Sequence, residues 1–363
     1  MPKTEGGGAM LGYRILREMY LNSRVSALRL SKKLHSNYYT VSKTLKELER
    51  ANGLAYTLEL DVRELGFLGI RVLAIKFEKA PDLKLLRKEL QDDVFIQGAY
   101  LTKGDFDLLI YAMAMDERQY IIWEWTLRSV LGRYEPQIFE CTADKPVVGF
   151  FPLSTRTLRL APDLKSGERD VISALNDNSR MRINELADMT GISQVQVPRI
   201  MRRLMKKGTI VGYRALVQKP EKKLTMAYFL RYRPGPRHRE YQRAMTRKLA
   251  EESAEQTTSD YGIMCDTYGH EDSFFVCSFR DMDAYSRRGP SLWKDACRDE
   301  RVAAKEAVIT DVVMGKLPLH AGGYDRYIRF GKEIVTSPGE YAAIRRLMKE
   351  GKLDEVYRHY RNI

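Results

Sequence analysis

No stretch of the 363 residues holds the roughly 18 consecutive apolar side chains that a bilayer-crossing helix needs, so no membrane span is expected. The opening MPKTEGGGAM lacks the apolar core of a signal peptide and reads as a short flexible tail over residues 1–9. Cysteine is scarce. Cys141, Cys265, Cys277 and Cys297 form no C-x-x-C pair and fit no zinc spacing, so no metal site is expected. They read as reduced, mostly buried thiols in a reducing cytosol. His35, His238, His270, His320 and His359 are scattered, and Cys265 with His270 supplies two ligands, too few for a site. A glycine-rich phosphate loop and a nucleophile motif are both missing. The expectation is therefore no catalytic residue, no cofactor and no enzymatic activity.

What is present is positive charge. Lys and Arg number 61 against 48 acidic residues, a formal charge of +13, which favours an anionic partner. Apolar residues make up 44%, enough to fold a chain whose length suits two to four domains. The charge is segregated. Residues 10–61 hold 9 basic and 5 acidic side chains, and residues 165–219 hold 11 and 5. Residues 66–152 hold 11 basic and 13 acidic. A charge serving solubility alone has no need to separate in this way.

The two basic segments repeat one another. Asn22-Ser23-Arg24 returns as Asn178-Ser179-Arg180, at an offset of 156, and Leu30, Val41, Leu48 and Leu54 meet Leu186, Val197, Leu204 and Ile210. Each copy predicts three short helices and a strand, the grammar of a winged helix-turn-helix, over residues 10–61 and 165–219. Asn37 caps the third helix of the first copy, whose outer face offers Tyr38, Tyr39, Thr40, Ser42, Lys43 and Lys46. Ser193 is the cap candidate of the second, whose face offers Gln194, Gln196, Arg199, Arg202, Arg203 and Lys206. Gln and Arg read base edges by paired hydrogen bonds, and Lys neutralises phosphate. Those residues are the candidate contacts to double-stranded DNA. Pro198 disturbs the pattern: a helix starting at Ser193 loses a hydrogen bond there, so the helix begins nearer Pro198 or its first turn is distorted.

After each basic segment comes a β-α-β-β-α-β pattern, residues 62–152 and 220–318, with a linker over 153–164. Such a unit folds as a ferredoxin-like sandwich, so the fold class is α+β. Here too a signature returns: Gly104-Asp105-Phe106-Asp107 corresponds to Gly269-His270-Glu271-Asp272 at an offset of 165. As residues of a tight turn, Gly and Asp need no ligand to explain them.

The chain resembles the leucine-responsive/asparagine-synthase (Lrp/AsnC) regulator family of bacteria and archaea. The carrying stretches are ELADMTGIS followed by VPRIMRRLMKKGTIVGYRALV, and LRLSKKLHSNYYTVSKTLKELERANGLAYTLELDVRELGF in the first half. The resemblance implies a transcription regulator, cytoplasmic and nucleoid-associated, whose sensing domains pair through their sheets and answer to a small molecule such as an amino acid. It places effector contacts near Gly104, Asp105, Asp107, Gly269 and Asp272. The chain departs from the usual pattern by carrying two halves, which predicts an intrachain pseudo-dimer, with a homo-oligomer of chains left open. It also adds a helical extension over residues 319–363, with Tyr341, Ile344, Leu347 and Met348 on one stripe.

Two alternatives share these features. One is an architectural chromatin protein with little base preference, which only a specificity ratio separates from a regulator. The other is an enzyme on the same fold, since some haem-pathway decarboxylases pair similar domains. Convergent His, Arg and Tyr would be required, for which His238, His270, Arg287 and Arg288 are available.

Overall fold

In the computed structural model the described residues are 6–143, 146, 149–217, 224–232, 259–279, 282–283, 285–286 and 302–316. The helix expected at 238–252, most of that at 284–298 and the extension 319–363 lie outside them, with Cys297, His238, Arg287 and Arg288.

The first half opens with α1 (Gly6–Leu21), α2 (Ala27–Lys33) and α3 (Tyr38–Asn52). α1 starts inside the stretch expected to be a tail. Ser26 caps α2 by accepting from Arg29 N–H at 3.2 Å, and Asn37 caps α3 by accepting from Tyr39 N–H at 2.8 Å. Ile15, Met19, Leu30, Leu34, Val41 and Leu45 close a small core. Then come β1 (Leu54–Leu60), β2 (Gly69–Phe77), α4 (Leu83–Gln91), β3 (Ile96–Gly104), β4 (Leu108–Ala114), α5 (Glu117–Leu131) and β5 (Pro136–Ala143).

The linker is not a loose tether. It forms α6 (Thr155–Leu158) and buries Leu153, Leu158, Ala161 and Leu164 in the main core. The second half continues with α7 (Ser166–Asp177), α8 (Ile183–Thr190), α9 (Gln196–Lys207), β6 (Ile210–Val217), β7 (Leu224–Tyr232), β8 (Ser259–Gly269), β9 (Ser273–Phe279) and β10 (Val302–Met314).

Each half was expected to carry its own strand ribbon beside its helices. Instead β1 and β6 pair with one another, antiparallel, with Thr57 opposite Arg214. A lone strand leaves a row of N–H and C=O groups unpaired, and the repeat supplies a matching edge.

The other eight strands close a barrel in the order β10-β3-β4-β2-β5-β8-β9-β7. Strands β3-β4-β2-β5 come from the first half, and β8-β9-β7-β10 follow the same order in the second. Two seams join them, β3 with β10 and β5 with β8. Alternation along the strands separates two cores. Val72, Ala74, Leu109, Tyr111 and Met113 share the barrel core with Phe106, Phe229 and Phe274, while Leu73, Ile75, Leu108, Ile110 and Ala112 lie with Leu86 and Leu90 of α4 and Trp123 and Leu127 of α5. All seven residues of β4 are therefore buried, and its sequence is uniformly apolar. Each fully buried large apolar side chain contributes about 1.5–3 kcal/mol, so Phe106, Phe229 and Phe274 add to the barrel core on the same scale as its aliphatic residues. Among the described residues, no helix is long and apolar enough to cross a membrane.

Candidate nucleic-acid interface

Amphipathicity fixes which side of α9 faces out. Val197, Met201 and Leu204 are buried, so Gln194, Gln196, Arg199, Arg202, Arg203 and Lys206 are left on the exposed side. Pro198 is accommodated because the helix starts at Gln196, three residues after Ser193, which puts the proline in the first turn. An N–H there has no partner within the helix, so its absence costs little. Ser193 still leads the chain in: its carbonyl accepts from Gln196 N–H at 2.9 Å and from Val197 N–H at 3.1 Å.

The exposed cations are not equivalent. Arg203 is committed to its own domain, with Nη2 2.8 Å from the carboxylate of Glu168. Glu168 also accepts from Lys165 N–H at 3.0 Å at the start of α7. Arg202 donates from Nε to the carbonyl of Pro198 at 3.3 Å, and Arg199 projects from the turn beside the glutamines. Lys207 reaches back to the carbonyl of Glu64 at 3.2 Å.

On α3, Val41 and Leu45 are buried and Ser42 is half-buried, while Asn37, Tyr38, Tyr39, Thr40, Lys43 and Lys46 are exposed. Tyr39 stands 79% exposed and Tyr38 45%, their rings edge to face at 5.6 Å. Lys43 lies 3.9 Å from Glu47 one turn on, a weak exposed pair.

The turns after α1 and α7 pack against each other. Ser23 and Ser179 meet there, hydroxyl to hydroxyl at 2.6 Å. Ser23 N–H donates to the carbonyl of Tyr213, and Ser179 N–H to that of Tyr56, both at 3.0 Å. Thr57 and Arg214 face each other across the β1–β6 pair. Thr57 donates to the carbonyl of Asn176 at 2.9 Å, and Arg214 to that of Leu21 at 2.5 Å, on the corresponding turn of the other copy. Arg214 also holds Glu59 at 2.7 Å in a nearly closed ion pair. Arg24 and Arg180 lie over the rings of Tyr213 and Tyr56 at 5.4 and 5.1 Å. Burial pushes the hydroxyls of both tyrosines up, so they stay neutral. The recurring Asn-Ser-Arg triplet was visible in the sequence; nothing in it signalled that the two triplets touch.

The two Gly-x-x-Asp turns are the corners of the barrel seams. Asp105 N–H donates to the carbonyl of Glu306 at 3.0 Å, and His270 N–H to that of Glu140 at 3.1 Å. A Cβ on Gly104 would stand 2.5 Å from the Glu306 carbonyl oxygen, and one on Gly269 2.8 Å from that of Glu140. Glycine is required at both by close approach of the neighbouring strand. The carboxylate of Asp107 accepts from Phe77 N–H and from Lys76 Nζ, each at 2.9 Å. That of Asp105 accepts from Glu306 N–H at 2.7 Å. Asp272 N–H donates to the carbonyl of Leu230 at 2.8 Å.

Of the residues a catalytic reading would use, His270 is exposed at a seam, with its ring edge-on to Phe139 at 5.9 Å. A surface pocket of about 510 Å³ opens elsewhere, between the start of α5 and the loop before β3. Asp93, Asp116, Arg118, Phe95, Ile122 and Trp123 are among its lining residues, and no histidine or tyrosine is. Burial pushes the thiol of Cys141 up to about 12 and raises that of Cys277 further, so neither is a nucleophile at neutral pH. Among the described residues, no group of three or more His, Cys, Asp or Glu could hold a metal ion.

Against known proteins, residues 168–211 match the winged helix-turn-helix DNA-binding family. The chain thus carries one winged helix-turn-helix DNA-binding domain, and α7, α8 and α9 lie within or across that match. No curated protein matches the chain. Among solved structures it is similar to the siroheme decarboxylase NirDL, at 11% identity and a TM-score of 0.54, over 90% of this chain and 98% of that one. A complex of that decarboxylase with an iron-uroporphyrin III analogue aligns at 12% identity and a TM-score of 0.53, over 91% and 99%. AsnC of E. coli aligns over 36% of this chain and 89% of its own, at 17% identity and a TM-score of 0.30.

One expectation is overturned here. The chain was expected not to be an enzyme, yet the structures that match it over about nine-tenths of its length are those of an enzyme. Missing sequence motifs do not exclude catalysis, because catalytic groups on such a fold converge in space from separate segments.

Proposed function

We propose that the chain is a DNA-binding transcription regulator of Lrp/AsnC type acting on double-stranded DNA in the cytoplasm. Its parts are two winged helix-turn-helix modules about one twofold and two ferredoxin-like sensing units, whose seams make an intrachain pseudo-dimer. The carrying observation is the exposed row Gln194, Gln196, Arg199, Arg202 and Lys206 inside a segment that matches a DNA-binding family. A solvated helix needs charge, but it does not need two glutamines and two arginines on one face; those side chains have the geometry for base edges. The repeated strand order, with α4 and α5 on the outer face of the first unit, supports the ferredoxin-like description. An amino-acid effector meeting Gly104, Asp105, Asp107, Gly269 or Asp272 would act on the seams between the two units.

The test is fluorescence anisotropy of the full chain with labelled duplexes, from 50 to 200 mM salt. Binding that falls steeply with salt and favours particular sequences is expected. Equal affinity for every duplex would replace the regulator with an architectural protein, and no binding at 50 mM salt would end the DNA reading.

A second reading, decarboxylation of a tetrapyrrole carboxylate, is favoured by one observation, the whole-chain likeness to a siroheme decarboxylase. Incubation with siroheme and mass spectrometry for lost carbon dioxide tests it. Unchanged siroheme alongside specific DNA binding would dismiss it.

A further inference from the structure

The twofold relates the two modules by backbone, and the chemistry on their reading helices does not follow it. The offset of 156 that brings Ser23 to Ser179 also sets Tyr38 against Gln194, Thr40 against Gln196 and Lys43 against Arg199. All six side chains are exposed. Glutamine and arginine each present two hydrogen-bonding atoms in a plane, matched to adenine and guanine edges. Tyrosine and threonine present one hydroxyl each plus apolar surface, suited to a thymine methyl and to sugar, and lysine is a point charge for phosphate. Charge diverges too: Glu47 occupies on α3 the place of Arg203 on α9, and it faces solvent.

Resting on the DNA-binding reading above, we infer that the duplex this chain recognises has two dissimilar half-sites, a purine-edge half read by α9 and a thymine-rich half read by α3. A symmetric dimer presents one helix twice and selects an inverted repeat. Here both helices belong to one chain, and the axis at Ser23 and Ser179 fixes them as an unlike pair. The interior of the axis diverges in the same manner, with Thr57 on one side and Arg214 on the other.

Selection of bound sequences from random duplexes with the full chain decides the matter, with Gln196→Ala and Tyr39→Ala selected in parallel. Both side chains are exposed, so each variant should keep the fold; circular dichroism checks this. The expected motif has two unlike halves at fixed spacing. Gln196→Ala should relax one half, lowering its discrimination by roughly 5- to 100-fold, and Tyr39→Ala should relax the other. An inverted repeat with identical halves, or one motif beside a featureless flank that Tyr39→Ala leaves unchanged, overturns the inference while DNA binding stands. Failure to retain any duplex removes the DNA-binding reading itself.

Discussion

Ser23 and Ser179 stand 156 positions apart in the chain and 2.6 Å apart in space, each the middle residue of an Asn-Ser-Arg triplet. The contact is buried, and it brings the turns after α1 and α7 face to face. Two modules joined in one chain meet at high effective concentration, so such a contact forms without a second molecule. It also frees the two copies to diverge, since neither must be complementary to itself.

The first prediction concerns salt. Arg199→Ala with Arg202→Ala should lower the slope of log affinity against log salt, because each guanidinium carries a positive charge to the duplex even where it meets a base edge; two full phosphate contacts would set the ceiling at about 1.8, at about 0.9 each. Arg203→Ala should leave the slope nearly unchanged and cost stability, because its guanidinium is held by Glu168. Anisotropy titrations at four salt concentrations measure this. Equal slope losses for all three arginines would mean that the Glu168 pair opens on DNA.

The second concerns the helix-turn-helix corner. Gly191, with φ of +69°, begins the turn before α9, and His35, with φ of +49°, occupies the same place before α3. A side chain in this left-handed region costs about 1–2 kcal/mol. Nothing crowds a Cβ at Gly191, so Gly191→Ala should lose that amount through backbone strain alone. His35→Gly should gain up to about 1 kcal/mol, part of the relief being lost to the freer unfolded chain. Urea unfolding midpoints report both, and a neutral Gly191→Ala would refute the strain argument.

The third concerns the ion pair beside the twofold. Arg214 and Glu59 side chains are 10% and 6% exposed. Arg214→Met should destabilise by about 3–5 kcal/mol, because it leaves a carboxylate buried without its partner. The double change Arg214→Met with Glu59→Leu should recover most of that. Denaturant unfolding of the three proteins compares them; a loss below about 1 kcal/mol for the single variant would show that water reaches the pair.

The fourth concerns Lys316, which follows β10 and whose Nζ donates to the carbonyl of Asn176 at 3.0 Å and to Thr57 Oγ1 at 3.4 Å. Its own carbonyl accepts from Tyr100 OH at 2.8 Å, so the residue bridges barrel and helical modules. Burial lowers the lysine pKa below 10.5, with Asp177 opposing the shift. In the window between the lowered value and 10.5 the unfolded chain binds more protons than the folded one, so this group makes stability rise with pH there. Below the window its buried charge is a cost. Lys316→Met should therefore be relatively most stabilising at neutral pH and should flatten the rise toward pH 10. Thermal melts from pH 7 to pH 10 measure the difference between the two proteins, and parallel curves would show that Lys316 is hydrated.

Local structure was legible because its causes are local. The Asn37 cap, the span of α8 over Ile183–Thr190 and that of β9 over Ser273–Phe279 follow from residues within a turn or two. The basic face of α9 was legible from periodicity alone, since its buried residues fix its exposed ones. Tertiary structure decided the rest. The pairing of β1 with β6, the commitment of Arg203 to Glu168 and the use of Gly104 and Gly269 as seam corners depend on surfaces brought together from more than 30 positions away. Sequence by itself showed an Asn-Ser-Arg triplet and matching apolar positions returning at one offset, because a recurrence is a property of order along the chain. Only the folded chain decided that the copies close on one another, because strand edges and buried hydroxyls find their partners by the free energy of pairing in space, which sequence distance does not record.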